Sequence, residues 1–333
     1  RYQIIPQMKD YDKLGLDWQN HIMFTNPPLK KFESVSTDAF GFRHTVAKDG
    51  QNHLTWEGFN SLRKGETGLV LGASTAFGVG ATNNRYNLSS LLNQRTELNW
   101  FNLSGRAFSS TQELVQFTMF FPTNIQSLIV LSGINNLALA FMSKKTSPVY
   151  NTFFEQSVYT KFIKQHEQGG RASLKLIADG VKALVDVSKH KIQKKLFRSS
   201  FTNLHKEFLE FKEEGKGNQD LIKKNYQNIL SAFERDIRVL GEIGRYHSIN
   251  VHYFLQPLAS YMEKKLSPEE EELFFIADQQ PVKHWIILSK YLSDKMVKYT
   301  EDIRLICEKY HVHFVDLNQN DSLKNQKWLF IDR

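Results

Sequence analysis

The chain has 333 residues, with 43 Lys+Arg against 35 Asp+Glu for a formal charge of +8, and 41% of its residues are hydrophobic. That apolar content supports a sizeable core and excludes intrinsic disorder, while the single cysteine, Cys307, excludes an internal disulfide framework and a multi-cysteine zinc ribbon. No run reaches the roughly 18 apolar residues of a transmembrane helix; the nearest, Leu128 to Met142, is interrupted by Ser132, Asn135 and Asn136.

Residues 1–66 read as an irregular N-terminal extension packing on the core, with Pro6, Pro27 and Pro28 and a turn at Lys48-Asp49-Gly50. Regular patterning starts at Gly68-Leu69-Val70-Leu71-Gly72, a short apolar run closed by glycine, which predicts a buried parallel strand. A helix is predicted from Tyr86 to Gln94, a second strand over Trp100 to Leu103, and a helix from about Ser110 to Phe120. Further strands are predicted at Ser127 to Ser132, Ile249 to Leu255 and Val312 to Leu317, the last fed by a helix from about Lys290 to Tyr310. Strand–helix alternation of this kind predicts an α/β protein with a five-stranded parallel sheet between two helical layers. More than a hundred residues separate Leu137 from Ile249, where a simple crossover unit needs about 30. A charged helical insertion at about 140–246 is therefore expected within the domain 67–333. An amphipathic stripe runs through Leu221, Ile222, Tyr226, Ile229, Leu230, Phe233, Ile237 and Leu240.

The basic balance, with a pI near 9.3, comes from scattered pairs such as Lys30-Lys31, Lys144-Lys145 and Lys264-Lys265 rather than from one block. No zinc-finger spacing or aromatic RNA-binding strand accompanies them, and no nucleic-acid partner is expected. Gly72 to Gly80 lacks the lysine of a phosphate-binding loop, and Gly78-x-Gly80 lacks the third glycine of a dinucleotide fingerprint. His311 and His313, with Asp316 nearby, supply too few ligands for a metal site. No cofactor or metal is expected. Cys307 falls on the apolar stripe of a helix and reads as a buried, inert thiol.

In an open parallel sheet, ligands gather outside the carboxyl ends of the strands. Three polar, glycine-bearing turns fall there: Gly72-Ala73-Ser74 through Gly80, Asn102-Leu103-Ser104-Gly105-Arg106-Ala107, and Gly133-Ile134-Asn135-Asn136. With these blocks in this order, the chain from about Phe40 onward resembles the SGNH (GDSL-type) hydrolase superfamily of esterases, lipases, carbohydrate deacetylases and acyltransferases, which has a flavodoxin-like fold. The resemblance implies that Ser74 is the nucleophile of an acyl-enzyme mechanism. It implies oxyanion donors in the Ser74 backbone N–H, the Ala107 backbone N–H (Gly105 being the alternative) and the Asn135 side chain. The family's last block, Asp-x-x-His, would start at Asp332, which the resemblance makes the triad carboxylate.

Two positions depart from the family pattern, Ala73 for an aspartate beside the nucleophile and Asn136 for the final aspartate of the third block. None of the eleven histidines follows an aspartate by three residues, so the base is expected two positions beyond Arg333. The chain starts at Arg1 and reads as a piece of a longer polypeptide. The functional expectation is hydrolysis of O-acyl esters, including O-acetyl groups of a glycan. The same site would also suit an O-acyltransferase, or a non-catalytic binding or scaffold protein built on this frame. A small-molecule or glycan ester is the expected partner. A soluble domain is expected, cytoplasmic or peripherally bound to membrane rather than secreted and disulfide-rich.

Overall fold

A computed structural model describes residues 1–19, 21–61, 67–121, 125–143, 219–278 and 284–331. The N-terminal residues are not irregular throughout. Helix α1 (Met8–Leu14) buries Met8, Tyr11 and Leu14 at helical spacing. Strands β1 (Asp17–Gln19) and β2 (Met23–Thr25) pair antiparallel, as do β3 (Thr45–Val46) and β4 (His53–Leu54). Strands of two or three residues are too short to display the alternation by which strands are read from sequence.

The central sheet contains β5 (Thr67–Gly72), β6 (Asn99–Asn102), β7 (Ile125–Ser132), β8 (Asn250–Leu255) and β9 (His313–Asp316). Its order is β6-β5-β7-β8-β9 and every pairing is parallel. Counted within the sheet this is 2-1-3-4-5, the order in which a ligand crevice opens between the first and third strands. All six residues of β5 are buried, as expected of a central strand covered on each face.

The helices follow as α2 (Ser74–Phe77), α3 (Leu88–Arg95), α4 (Ser110–Met119), α5 (Ile134–Met142), α6 (Gln219–His247), α7 (Pro268–Asp278), α8 (His284–Lys309) and α9 (Asp321–Lys324). Leu88 and Leu92 of α3 pack with Val70 and Leu131 on one face of the sheet. Phe233 of α6 meets Tyr253 of β8 on the other, with ring centroids 5.3 Å apart. The buried positions Leu288, Leu292, Met296, Tyr299, Ile303 and Cys307 run at steps of three and four along α8. No described helix is long and apolar enough to cross a membrane.

The chain divides into two compact units, residues 1–150 with 221–333 and residues 151–220. The helical insertion expected at 140–246 therefore falls largely outside the described residues. The amphipathic stripe expected within it belongs to α6, which groups with the sheet and leads into β8.

Helix α7 opens on a reciprocal cap that periodicity alone did not reveal. The Glu270 amide donates to Ser267 Oγ at 3.2 Å, and Glu270 Oε2 accepts from the Ser267 amide at 2.8 Å. The same oxygen accepts from Lys264 Nζ at 2.5 Å, with neither side chain exposed. Glu270 Oε1 accepts from the amides of Leu329 and Phe330 at 2.7 and 2.8 Å. Burial alone would raise the Glu270 carboxyl, but Lys264 and the three amides outweigh it and hold the group below its ordinary range. Glu270→Ala would strand the Lys264 ammonium and orphan the tail amides. It should cost about 3–5 kcal/mol in urea unfolding, against a smaller loss for Lys264→Met.

Candidate active site

Strand β5 ends at Gly72, whose φ is +138°. A Cβ there would lie 2.1 Å from the Leu131 carbonyl oxygen and 2.7 Å from Ala76 Cβ, so only glycine lets the strand end approach β7 this closely. Ala73 is buried beside it at 1% exposure. The small side chain at 73 fits this buried position, where a carboxylate would be desolvated. Ser74 begins α2 and is half-buried, and its hydroxyl has no hydrogen-bond partner among the described residues. Its amide, at the first position of the helix, has no intrahelical acceptor. Because α2 is one turn long, anion stabilisation here rests on individual donors rather than on an extended helix.

The second turn is tied to the first. The Gly105 amide donates to the Gly72 carbonyl at 3.0 Å, and Asn102 Nδ2 donates to the Ala76 carbonyl at 2.8 Å. Gly105, the alternative oxyanion donor, thus has its N–H already engaged. Ala107 adopts a left-handed conformation with φ +61°, and its N–H has no acceptor among the described residues. The third turn is tied to the second: Asn135 Nδ2 donates to the Phe108 carbonyl at 2.8 Å. Asn136, 3% exposed, accepts from the Ser110 amide at 3.0 Å and donates to Ser110 Oγ at 2.9 Å. A carboxylate could accept but not donate, so this joint uses both ends of the Asn136 amide.

Ser74, Ala107 and Asn135 therefore sit on three turns at one edge of the sheet, the second bonded to both the first and the third. Asp332 and Arg333 lie outside the described residues. The chain just before them does reach this edge: Phe330 packs in one cluster with Phe77, and a Cβ on Gly80 would lie 2.5 Å from Ile331 Cδ1. The histidines of the last two strands are elsewhere. His252 and His313 face each other with ring centroids 5.2 Å apart, in the first halves of their strands and away from the Leu255–Asp316 end. His311 precedes β9 in a left-handed turn with φ +59°, so it does not share a strand face with His313. Among the described residues no group of three or more His, Cys, Asp or Glu could hold a metal.

Several residues around the site were not legible as part of it. Arg43, 2% exposed, donates to the carbonyls of Phe77 at 2.9 Å and Gly78 at 2.6 Å, and to Ser34 at 3.0 Å. It therefore holds the C-terminal end of α2. Arg106 also lies over Phe77, the guanidinium carbons of Arg43 and Arg106 standing 5.4 and 5.9 Å from the ring centroid. Burial lowers both guanidiniums, Arg106 to about 10. Beneath the third turn, Glu113 is 2% exposed and bonds Ser132 Oγ. Burial raises its carboxyl to about 8, opposed by the Ser132 bond and assisted by the nearby Asp236. Tyr299 completes this layer by donating to the Gly133 carbonyl at 2.9 Å. Cys307 is buried, and burial pushes its thiol up.

The raised Glu113 carboxyl binds its proton more tightly in the folded than in the unfolded chain, whose ordinary value is 4.5. The native state then holds more protons between pH 4.5 and about 8, and stability falls as pH rises through that window. Glu113→Gln, which fixes the neutral form, should flatten the decline by an amount on the order of a few kcal/mol. Urea unfolding at pH 5 and pH 8 would check it, an unaltered slope being the contrary result.

Neither a scan of the chain against protein-family models nor a search of curated proteins returns a match.

Proposed function

We propose that the protein is a serine-dependent hydrolase of O-acyl esters, acting through an acyl-enzyme on Ser74. In this reading Ser74 Oγ attacks the ester carbonyl carbon while its proton passes to a histidine base oriented by Asp332. The new C–O bond forms as the carbonyl π bond yields a tetrahedral oxyanion, which accepts from the Ser74 and Ala107 amides and from Asn135 Nδ2. Collapse breaks the bond to the alcohol oxygen, which leaves with the proton from the base. Water then repeats the sequence on the acyl-enzyme and releases the acid.

The observation that carries the reading is the pair of bonds from Gly105 to Gly72 and from Asn135 to Phe108, at 3.0 and 2.8 Å. They bring three turns together while leaving the Ser74 and Ala107 amides and the Ser74 hydroxyl without protein partners among the described residues. Free donors on fixed backbone are what a developing oxyanion requires. The half-buried position of Ser74 suits a nucleophile that a substrate must reach.

Two variants of the natural full-length protein test this, assayed on p-nitrophenyl acetate and on an O-acetylated sugar. Ser74→Ala should remove at least a thousandfold of kcat, and unchanged hydrolysis would overturn the reading. Asn135→Ala should lower kcat by about 10²–10³. Transfer of the acetyl group to an added sugar in place of water would redirect the assignment to an acyltransferase using the same serine.

A further inference from the structure

We propose that Arg106 and Asn26 are positioning residues that hold the Ala107 amide in place, which makes the N-terminal segment part of the catalytic apparatus. This rests on the ester-hydrolase reading above. Ala107 occupies a left-handed conformation that a side chain disfavours. The local sequence alone does not favour that geometry, so surrounding structure must impose it.

The restraint comes from far away in the chain. Arg106 Nε donates to Asn26 Oδ1 at 3.0 Å, one terminal nitrogen donates to the Tyr11 carbonyl at 3.1 Å, and the other to the Gly15 carbonyl. Tyr11 and Gly15 lie in and just after the last turn of α1, where carbonyls lack intrahelical donors. Asn26, 2% exposed, uses its other end to donate to the Ser104 carbonyl at 3.2 Å. One buried amide thus grips the turn at Ser104 and Arg106, immediately before Ala107. The guanidinium also stands over Phe77, the last residue of the nucleophile's helix, so the same side chain touches both halves of the site.

Arg106 makes no ion pair among the described residues, and all of its acceptors are neutral. Its planar fork addresses three acceptors in three directions, which a lysine cannot reproduce. A surface arginine serving only solubility would not be placed in this way.

Arg106→Lys and Asn26→Ser in the full-length protein are expected to lower kcat on p-nitrophenyl acetate ten- to a hundredfold with KM within twofold of wild type. Their affinity for phenylboronate, a mimic of the tetrahedral adduct, should fall by the same factor as kcat/KM. A residue important only for folding would lower melting temperature or active fraction without making boronate affinity track the rate. Adding Ala107→Gly to Arg106→Lys should restore at least threefold of the lost kcat, because glycine enters the left-handed region freely. Folded variants that keep kcat within twofold would overturn the proposal, as would a rate loss without loss of boronate affinity. If Arg106→Lys does not fold, Asn26→Ser carries the same test. Full activity in Ser74→Ala would instead overturn the underlying hydrolase reading, so the two failures are distinguishable.

Discussion

The close approach of Gly72 to Leu131 is the constraint on which the candidate site depends. A side chain at Gly72 would meet the Leu131 carbonyl at 2.1 Å. Its absence lets β5 end against β7 at the place where the sheet reverses its winding. From that point the chain turns into Ser74, and the Gly72 carbonyl is left facing outward to receive the Gly105 amide at 3.0 Å. The second turn takes its position from this bond, and the third takes its position from the second through Asn135 and Asn136. The site is thus a sequence of backbone placements, each set by the one before.

Around this chain of placements the fold arranges buried charge in two unlike ways. Lys264 and Glu270 neutralise each other without solvent, and Glu270 uses its remaining capacity on the tail amides. A buried pair of this kind contributes little net stability relative to apolar packing, but it specifies geometry. Arg43 and Arg106 form no ion pair among the described residues and donate to carbonyl oxygens at the ends of α1 and α2. That choice satisfies backbone groups which a short helix leaves unpaired. It also leaves positive charge near the turns where acyl transfer would build up negative charge.

The parallel sheet was legible because its strands are continuous apolar runs closed by glycine or polar residues, as at Leu69 to Gly72 and Leu128 to Ser132. The three turns after those strands were legible from spacing; that the Gly105 amide is bound to the Gly72 carbonyl while the Ala107 amide is not bonded among the described residues required the structure. The start of α7 could have been read from Ser267-Pro268-Glu269-Glu270, a cap pattern with proline at the first helical position. Arg43 and Arg106 could not, because an arginine in a polar stretch looks the same whether it is solvated or buried. Their partners are backbone carbonyls, which carry no residue identity for a pattern to match. The N-terminal pairs escaped for a related reason, since two or three residues display no period.

Bonds around the site and its flanking segments span long stretches of chain: Asn26 to Ser104 across 78 positions, Arg106 to Gly15 across 91, and, at α7, Glu270 to Phe330 across 60. Each closes a large loop, whose entropy is lost before the bond forms. These are long-range contacts, formed at a loop-closure cost that the local bonds of a helix do not carry. The candidate site is in this sense a product of the tertiary fold and of no single local segment.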